Sequence, residues 1–221
     1  MPFETYDVWI HNRFNVIHKG ITQLFGPNFL QNKTLLELGA GYGDFGYKFY
    51  QQGMNVTCIE GRTENLEILQ TKHPYFTSFV GDLDKQYITQ KYDVILHCGL
   101  LYHMKNIERN LNNCLQNCDM FILETENIDS VEDKEDIVMI PENSSSDCPM
   151  SSLVNSDCTN YSSRTTRKYL EKVFKMHNFN FVLLDSSESN TMGYKYDWTV
   201  TNSKQIYFLR SIYLVYKQSL I

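Results

Sequence analysis

Glu37, Gly39, Gly41 and Gly43 alternate within Leu35-Leu36-Glu37-Leu38-Gly39-Ala40-Gly41-Tyr42-Gly43-Asp44-Phe45-Gly46, directly after an apolar run. Glycines at the end of a strand let the backbone pass close to a ligand where a Cβ would clash. A helix that starts there offers free N–H groups and positive potential to an anion. Two ligand classes use this architecture, and spacing separates them. A dinucleotide fingerprint reads G-x-G-x-x-G, with a pyrophosphate on the helix start. Gly39 and Gly41 satisfy its first positions, but Asp44 stands at the third, where its carboxylate would face the diphosphate. The pattern that fits is E-x-G-x-G-x-G.

Further polar residues close later apolar runs. Glu60, followed by Gly61, ends Asn55–Glu60, and Asp82, followed by Leu83, ends Phe76–Asp82. The next run is Asp93-Val94-Ile95-Leu96-His97-Cys98-Gly99-Leu100-Leu101-Tyr102-His103. Open α/β sheets bind ligands at the carboxyl ends of their strands, so acids at successive strand ends belong to one crevice.

This ordered set resembles the class I S-adenosylmethionine-dependent methyltransferases, and the LYH segment resembles several small-molecule and tRNA-modifying members. The resemblance covers Thr34 to Glu126 well and continues weakly beyond. It implies S-adenosyl-L-methionine as cofactor. Glu37, Gly39, Gly41 and Gly43 would lie along its methionine part. Glu60, an acceptor-only carboxylate beside Gly61, would take the ribose hydroxyls. Asp82 would take the exocyclic amine of adenine, with the backbone N–H of Leu83 near the ring. Cys98 completes the expected cofactor contacts.

Methyl transfer from a sulfonium is an in-line displacement in which the protein supplies proximity, alignment and a dry site. A general base is needed only where the acceptor arrives protonated. His103 is the candidate, since imidazole titrates near neutral pH, whereas His97 falls inside its strand and reads as structural. Expected substrate contacts are Trp9 and Arg13 on an N-terminal helix, Tyr102 beside His103, Tyr161 and Arg164 further on, and Tyr196 and Trp198 in an aromatic cluster. Aromatics with arginines suit a small acidic or planar acceptor.

Other chemistries fit less well. The [DNS]PP[YFW] motif of DNA amino-methyltransferases and the Pro-Cys nucleophile of cytosine-C5 enzymes are both missing at Cys98-Gly99-Leu100. The six cysteines form no CxxC pair, and no metal is expected. Cys114 and Cys118, four apart, are expected on one helix face. Glu124, Glu126 and Asn127 keep open the acid set of metal-dependent catechol O-methyltransferases.

Strand-like and helix-like segments must position these residues. Strands are expected at Thr34–Ala40, Asn55–Glu60, Phe76–Asp82, Tyr92–Gly99, Met120–Glu126, Phe179–Asp185 and Ser211–Lys217. Helices are expected at about Tyr6–Phe25, Gly43–Gln52, Thr63–Lys72, Asn106–Asn117 and Arg164–His177. The first five runs are rich in branched and apolar residues with little strict alternation at their centres, as in strands covered on both faces. The alternation predicts an α/β, doubly wound, Rossmann-like sheet with helices on both faces. The resemblance adds that the sheet has seven strands, the last antiparallel. Residues 1–221 are expected to form a single methyltransferase domain, with 1–30 as an N-terminal helical cap. Residues 127–163, rich in Ser, Asn and Asp, read as a long loop or lid, with Ile137–Pro141 a short ordered piece.

The net charge of -6 and pI near 5.5 work against general nucleic-acid binding. No apolar run is long enough to span a bilayer, and the N-terminus lacks the features of a secretory signal. The expectation is therefore a cytoplasmic methyltransferase with a small-molecule acceptor and no membrane. An RNA- or protein-modifying methyltransferase, a non-catalytic cofactor-binding module and a nicotinamide dehydrogenase are the alternatives.

Overall fold

The computed structural model describes residues 7–128, 135–141, 161–189 and 210–221. The chain opens with helix α1 (Asp7–Phe25). Strands β1 (Thr34–Leu38), β2 (Asn55–Glu60), β3 (Thr77–Val80), β4 (Tyr92–Cys98) and β5 (Cys118–Glu126) then alternate with helices α2 (Asp44–Tyr50), α3 (Thr63–Lys72) and α4 (Ile107–Gln116). A short ribbon follows, β6 (Ile137–Pro141) and β7 (Tyr161–Thr165), then α5 (Arg167–Met176), β8 (Phe179–Leu183) and β9 (Arg210–Lys217).

Seven strands form one sheet in the order β3-β2-β1-β4-β5-β9-β8. β1 to β5 pair in parallel, whereas β9 runs antiparallel between β5 and β8. Successive residues of the central strands point to opposite faces, so the sheet has two cores. Leu35, Val94, Met120 and Leu214 pack beneath α1, α2 and α3 through Ile17, Phe49 and Leu69. Leu36, Ile95, Phe121 and Tyr213 pack beneath α4 and α5 through Leu111, Leu170 and Phe174. The expected doubly wound architecture and the antiparallel last strand are both present.

Several element ends differ from expectation, and two of the differences bear on the site. α5 begins at Arg167 rather than Arg164, because Thr166 caps it by accepting from the Tyr169 N–H (3.2 Å) and Arg164 is paired in β7. Cys118 does not share a helix face with Cys114: α4 stops at Gln116 and Cys118 opens β5. Within 127–163, the expected ordered piece Ile137–Pro141 is strand β6, while 129–134 and 142–160 lie outside the described residues. β6 and β7 pair antiparallel, and Asn127 bridges to Thr165, tying the ribbon to the end of β5. A polar strand such as Tyr161-Ser162-Ser163-Arg164-Thr165 carries no apolar alternation to betray it.

Candidate active site

β1 runs into a turn in which Gly39, Gly41 and Gly43 all have positive φ (65°, 57° and 77°). L-side chains rarely adopt that conformation, which explains the alternating glycines better than any packing demand. α2 starts directly after Gly43, and no side chain caps it. The turn sits at the carboxyl ends of β1 and β4, where it lines a cavity shared by both ends of the sequence.

The cavity is lined by Glu37, Gly39, Gly41, Glu60, Gly61, Leu83 and Cys98. Glu60 is buried at the end of β2. Its Oε2 accepts from the Gly41 N–H (2.7 Å), and its Oε1 accepts from the Arg62 N–H (3.1 Å) and Asn65 Nδ2 (3.2 Å). It therefore fixes the glycine turn from the neighbouring strand. Glu37 lies beneath the turn, where its Oε2 accepts from the Gly46 N–H (3.1 Å) and the Cys58 thiol (3.6 Å). Burial pushes its pKa up to about 8 against the pull of those donors, so the carboxyl is mostly protonated at neutral pH. Burial drives the Cys98 thiol well above its ordinary value, so Cys98 is wall rather than nucleophile.

Asp82 departs from the expected arrangement. Gly81, Leu83 and Asp84 line the cavity, but Asp82 does not. The chain turns sharply after β3, and the Asp82 carboxylate accepts from the Asp84 N–H (3.0 Å) and pairs with Lys85 (2.9 Å). Asp84 is itself engaged, accepting from the N–H groups of Lys105 (3.0 Å) and Asn106 (3.2 Å) at the start of α4.

The lining also includes Trp9, Ile10, Arg13, Arg62, Tyr102, His103, Met104 and Arg210. Trp9 and Arg13 come from α1, as expected. The Arg13 guanidinium lies 3.6 Å from the Trp9 ring centre and 4.9 Å from that of Phe45. Tyr102 and His103 sit on a single 3-10 turn, Leu101–His103, that follows β4. His103 is expected as a base, yet burial first, and then the positive charges of Arg164, Arg210 and Arg62, push its pKa down to about 3. It is a neutral imidazole here and a weak proton acceptor. His97, inside β4, is fully buried and hydrogen-bonded to Asn110 (2.9 Å), as its position in the strand predicts.

Behind this wall runs an alternating chain of charges. Glu124 of β5 receives Arg13 Nη1 on Oε2 (3.0 Å) and Arg210 Nη1 on Oε1 (2.7 Å). Glu126 receives Arg210 Nη2 (2.6 Å) and Arg164 Nη2 (2.5 Å). Arg210 Nη2 also donates to the Tyr102 hydroxyl (3.1 Å). Burial would raise the Glu124 pKa, but Arg210 and Arg13 overcome it and hold the carboxyl below its ordinary value. Arg164 thus belongs to this network through β7 rather than through a helix, and it lies behind the cavity wall. Arg210 escaped the sequence reading altogether. Its signal is a charge opening the apolar strand Ser211–Tyr216, which reads as an ordinary strand end.

The side chain of Tyr161, at the start of β7, is outside what the structure describes, and so are Tyr196 and Trp198. Cys148 and Cys158 are likewise outside; Cys58, Cys98, Cys114 and Cys118 are free. Among the described residues no helix is long and apolar enough to cross a membrane, and no group of three His, Cys, Asp or Glu is placed to hold a metal ion.

A family model described as a methyltransferase domain matches residues 9–184. No curated protein matches the sequence. Among solved structures, the N-terminal domain of EvdMO1 with S-adenosylhomocysteine bound aligns over 91% of this chain and 79% of its own, with TM-score 0.65 and 17% identity. Magnesium protoporphyrin IX methyltransferase from Synechocystis PCC 6803 with bound S-adenosylmethionine aligns over 93% and 80%, with TM-score 0.57 and 12% identity. A putative RNA methyltransferase from Pyrococcus horikoshii aligns over 96% and 87%, with TM-score 0.53 and 16% identity. At such identities the likeness is one of fold.

Proposed function

Since the chain belongs to the S-adenosylmethionine-dependent class I methyltransferases, we propose that it methylates a small molecule held between the glycine turn and helix α1. The observation that carries this reading is the shared cavity, lined both by the glycine turn and Glu60 and by Trp9, Arg13, Tyr102 and His103. A site closed partly by a helix from the start of the chain suits a small acceptor better than a polymer. The acidic surface points the same way.

The residues present fit the cofactor. Glu60 is an acceptor-only group in the cavity wall, as a ribose diol requires. Leu83 and Leu100 offer apolar surface to a planar ring, and the glycine turn keeps Cβ atoms away from the methionine part. When bound, the cofactor supplies an electrophilic methyl group on sulfur. Glu60 then has to share its oxygens between the ribose and the N–H groups of Gly41 and Arg62, so binding and turn geometry are coupled. Leu83 and Asp84, rather than the Asp82 carboxylate, are the groups available to adenine. His103, neutral and weakly basic, orients an acceptor by hydrogen bonding, and it takes up a proton only where the acceptor brings compensating negative charge.

We further propose that residues 1–221 work as one methyltransferase domain. Residues 1–30 serve as the cap, through Trp9 and Arg13, and 127–163, of which 129–134 and 142–160 lie outside the described residues, as a lid. A cytoplasmic setting accords with the cysteines among the described residues all being free. The test is calorimetric titration with S-adenosylhomocysteine, with NAD as control, on wild type and Glu60→Ala. Micromolar affinity lost by about tenfold or more in the variant is expected, since a charge-assisted hydrogen bond is removed. No affinity in wild type would sink the reading.

A further inference from the structure

Resting on that reading, we infer that Tyr102 donates its hydroxyl proton to an oxygen of the methyl acceptor, next to the atom that is methylated, and that Arg210 is the positioning residue that aims this proton.

The Tyr102 side chain is held from several directions. Its ring lies 4.7 Å from the Arg164 guanidinium and 5.1 Å from that of Arg210, and the His103 ring is 4.3 Å away. Turning the ring would displace all three neighbours. Arg210 is buried and fixed in its turn, with Nη1 on Glu124 (2.7 Å) and Nη2 on Glu126 (2.6 Å). The same Nη2 donates to the Tyr102 hydroxyl (3.1 Å).

A phenol both accepts and donates through one oxygen. Arg210 occupies the accepting side, so the O–H bond turns away from it. Among the described residues nothing takes that proton: the contact from Arg210 is the hydroxyl's single hydrogen bond. The neighbouring carboxylates, Glu124 and Glu126, are each gripped by two arginines. Burial pushes the Tyr102 pKa up to about 12 against the pull of Arg210, so the group is a donor and not a base. Donors in buried side chains are rarely left unused, because each forfeits hydration without return.

Room for a ligand oxygen exists beside the hydroxyl. Tyr102, Arg210 and Gly99 all line the cavity. A Cβ at Gly99 would stand 3.7 Å from the Tyr102 hydroxyl oxygen, and beyond its chain neighbours nothing lies nearer to that point. Gly99 has a φ of 71°, which keeps the place free of a side chain. The chemistry then fixes which oxygen is served. A donor on the attacking atom would tie up the lone pair that the methyl group takes. Tyr102 therefore serves a neighbouring oxygen, such as a carbonyl beside the methylated atom. Its proton stays on Tyr102, and the gain is one of orientation, from a donor already in place before the acceptor arrives.

The experiment uses the full chain saturated with S-adenosylhomocysteine, whose own binding is measured first. Two pairs of probes of equal shape are titrated by calorimetry: acetophenone against α-methylstyrene, and cyclohexanone against methylenecyclohexane. Each ketone is expected to bind about tenfold more tightly than its alkene, the worth of one hydrogen bond. Tyr102→Phe should bring the ketones down to their alkenes while weakening S-adenosylhomocysteine far less. Tyrosine labelled with 13C at Cζ gives the direct signature. The Tyr102 resonance, assigned by its loss in Tyr102→Phe, should shift with a ketone and stay still with an alkene. The 15N signal of Arg210 Nη2 should move with it, because hydrogen bonds in a chain polarise one another. Arg210→Lys should shrink the preference for ketones; an unchanged preference in a folded variant, or a still Arg210 signal in wild type, removes Arg210 from the inference. Equal affinity within both pairs, no binding of any probe, or a ketone preference that survives Tyr102→Phe overturns it while leaving the methyltransferase reading intact. Failure of S-adenosylhomocysteine itself to bind strikes the earlier reading instead.

Discussion

Glu124 and Arg210 form a buried ion pair, 2.7 Å between Oε1 and Nη1, across the antiparallel seam between β5 and β9. Arg210 stands opposite Glu126 in the register, yet its guanidinium spans both carboxylates. One side chain thereby ties the last strand of the sheet to the wall of the cavity.

Removing the charge at Glu124 should be costly. Glu124→Gln leaves Arg13 and Arg210 facing a neutral amide in a fully buried site. Breaking one partner out of a buried pair typically costs about 3–5 kcal/mol. Urea denaturation followed by circular dichroism measures this. A loss below about 1 kcal/mol would mean that the pair is solvated, as surface pairs are.

Glu37 should make stability depend on pH in an unusual direction. Its folded pKa of about 8 lies above the ordinary 4.5. Between those values the folded chain keeps a proton that the unfolded chain has lost, so this contribution falls as pH rises. Glu37→Gln, which keeps an acceptor for the Gly46 N–H, should match wild type near pH 5 and exceed it by a few kcal/mol, order of magnitude, near pH 9. Parallel stability curves for the two proteins would refute this.

Gly46→Ala should destabilise, although alanine is the better helix former by about 1 kcal/mol. A Cβ at Gly46 would lie 2.4 Å from Glu37 Oε2 and 3.1 Å from a Val56 methyl. The carboxyl would have to give up its hydrogen bond from the Gly46 N–H or move within a packed core, at about 1–3 kcal/mol. Thermal melting decides the sign, and a raised melting temperature would contradict the packing argument.

His103 and His97 should stay neutral far into acid, to about pH 3 and pH 4 respectively. Both folded values lie below the ordinary 6.5. Below pH 6.5 the unfolded chain therefore binds protons that the folded chain refuses, and stability falls as pH drops. Side-chain NMR titration of the ligand-free protein tests this directly. A midpoint near 6.5 for His103 would restore it as a conventional general base.

Much of this was readable beforehand, for physical reasons. Strands such as Leu35–Leu38 and Val94–Leu96 are covered on both faces, so their apolar runs announce them. Gly39, Gly41 and Gly43 were legible because positive φ leaves few residue choices. Glu60 was legible because it closes a strand. What escaped depends on long-range pairing. Arg210 gains its meaning only from Glu124 and Glu126 on a strand far away in sequence. Arg164 looked helical because the polar strand β7 has no periodicity of its own. Asp82 is expected to close its strand, but β3 ends at Val80, and a local turn toward Asp84 and Lys85 sets its side chain away from the cavity.

The seam between β5 and β9 also sets an order of events during synthesis. Glu124 leaves the ribosome 86 residues before Arg210. Domains fold as units, with earlier segments emerging first. The glycine turn, Glu60 and α1 can gather while Glu124 still awaits one of its two arginines. A carboxylate waiting in an apolar interior opposes closure of that half. The wall of the cavity is therefore complete only once the last strand of the chain has paired with β5.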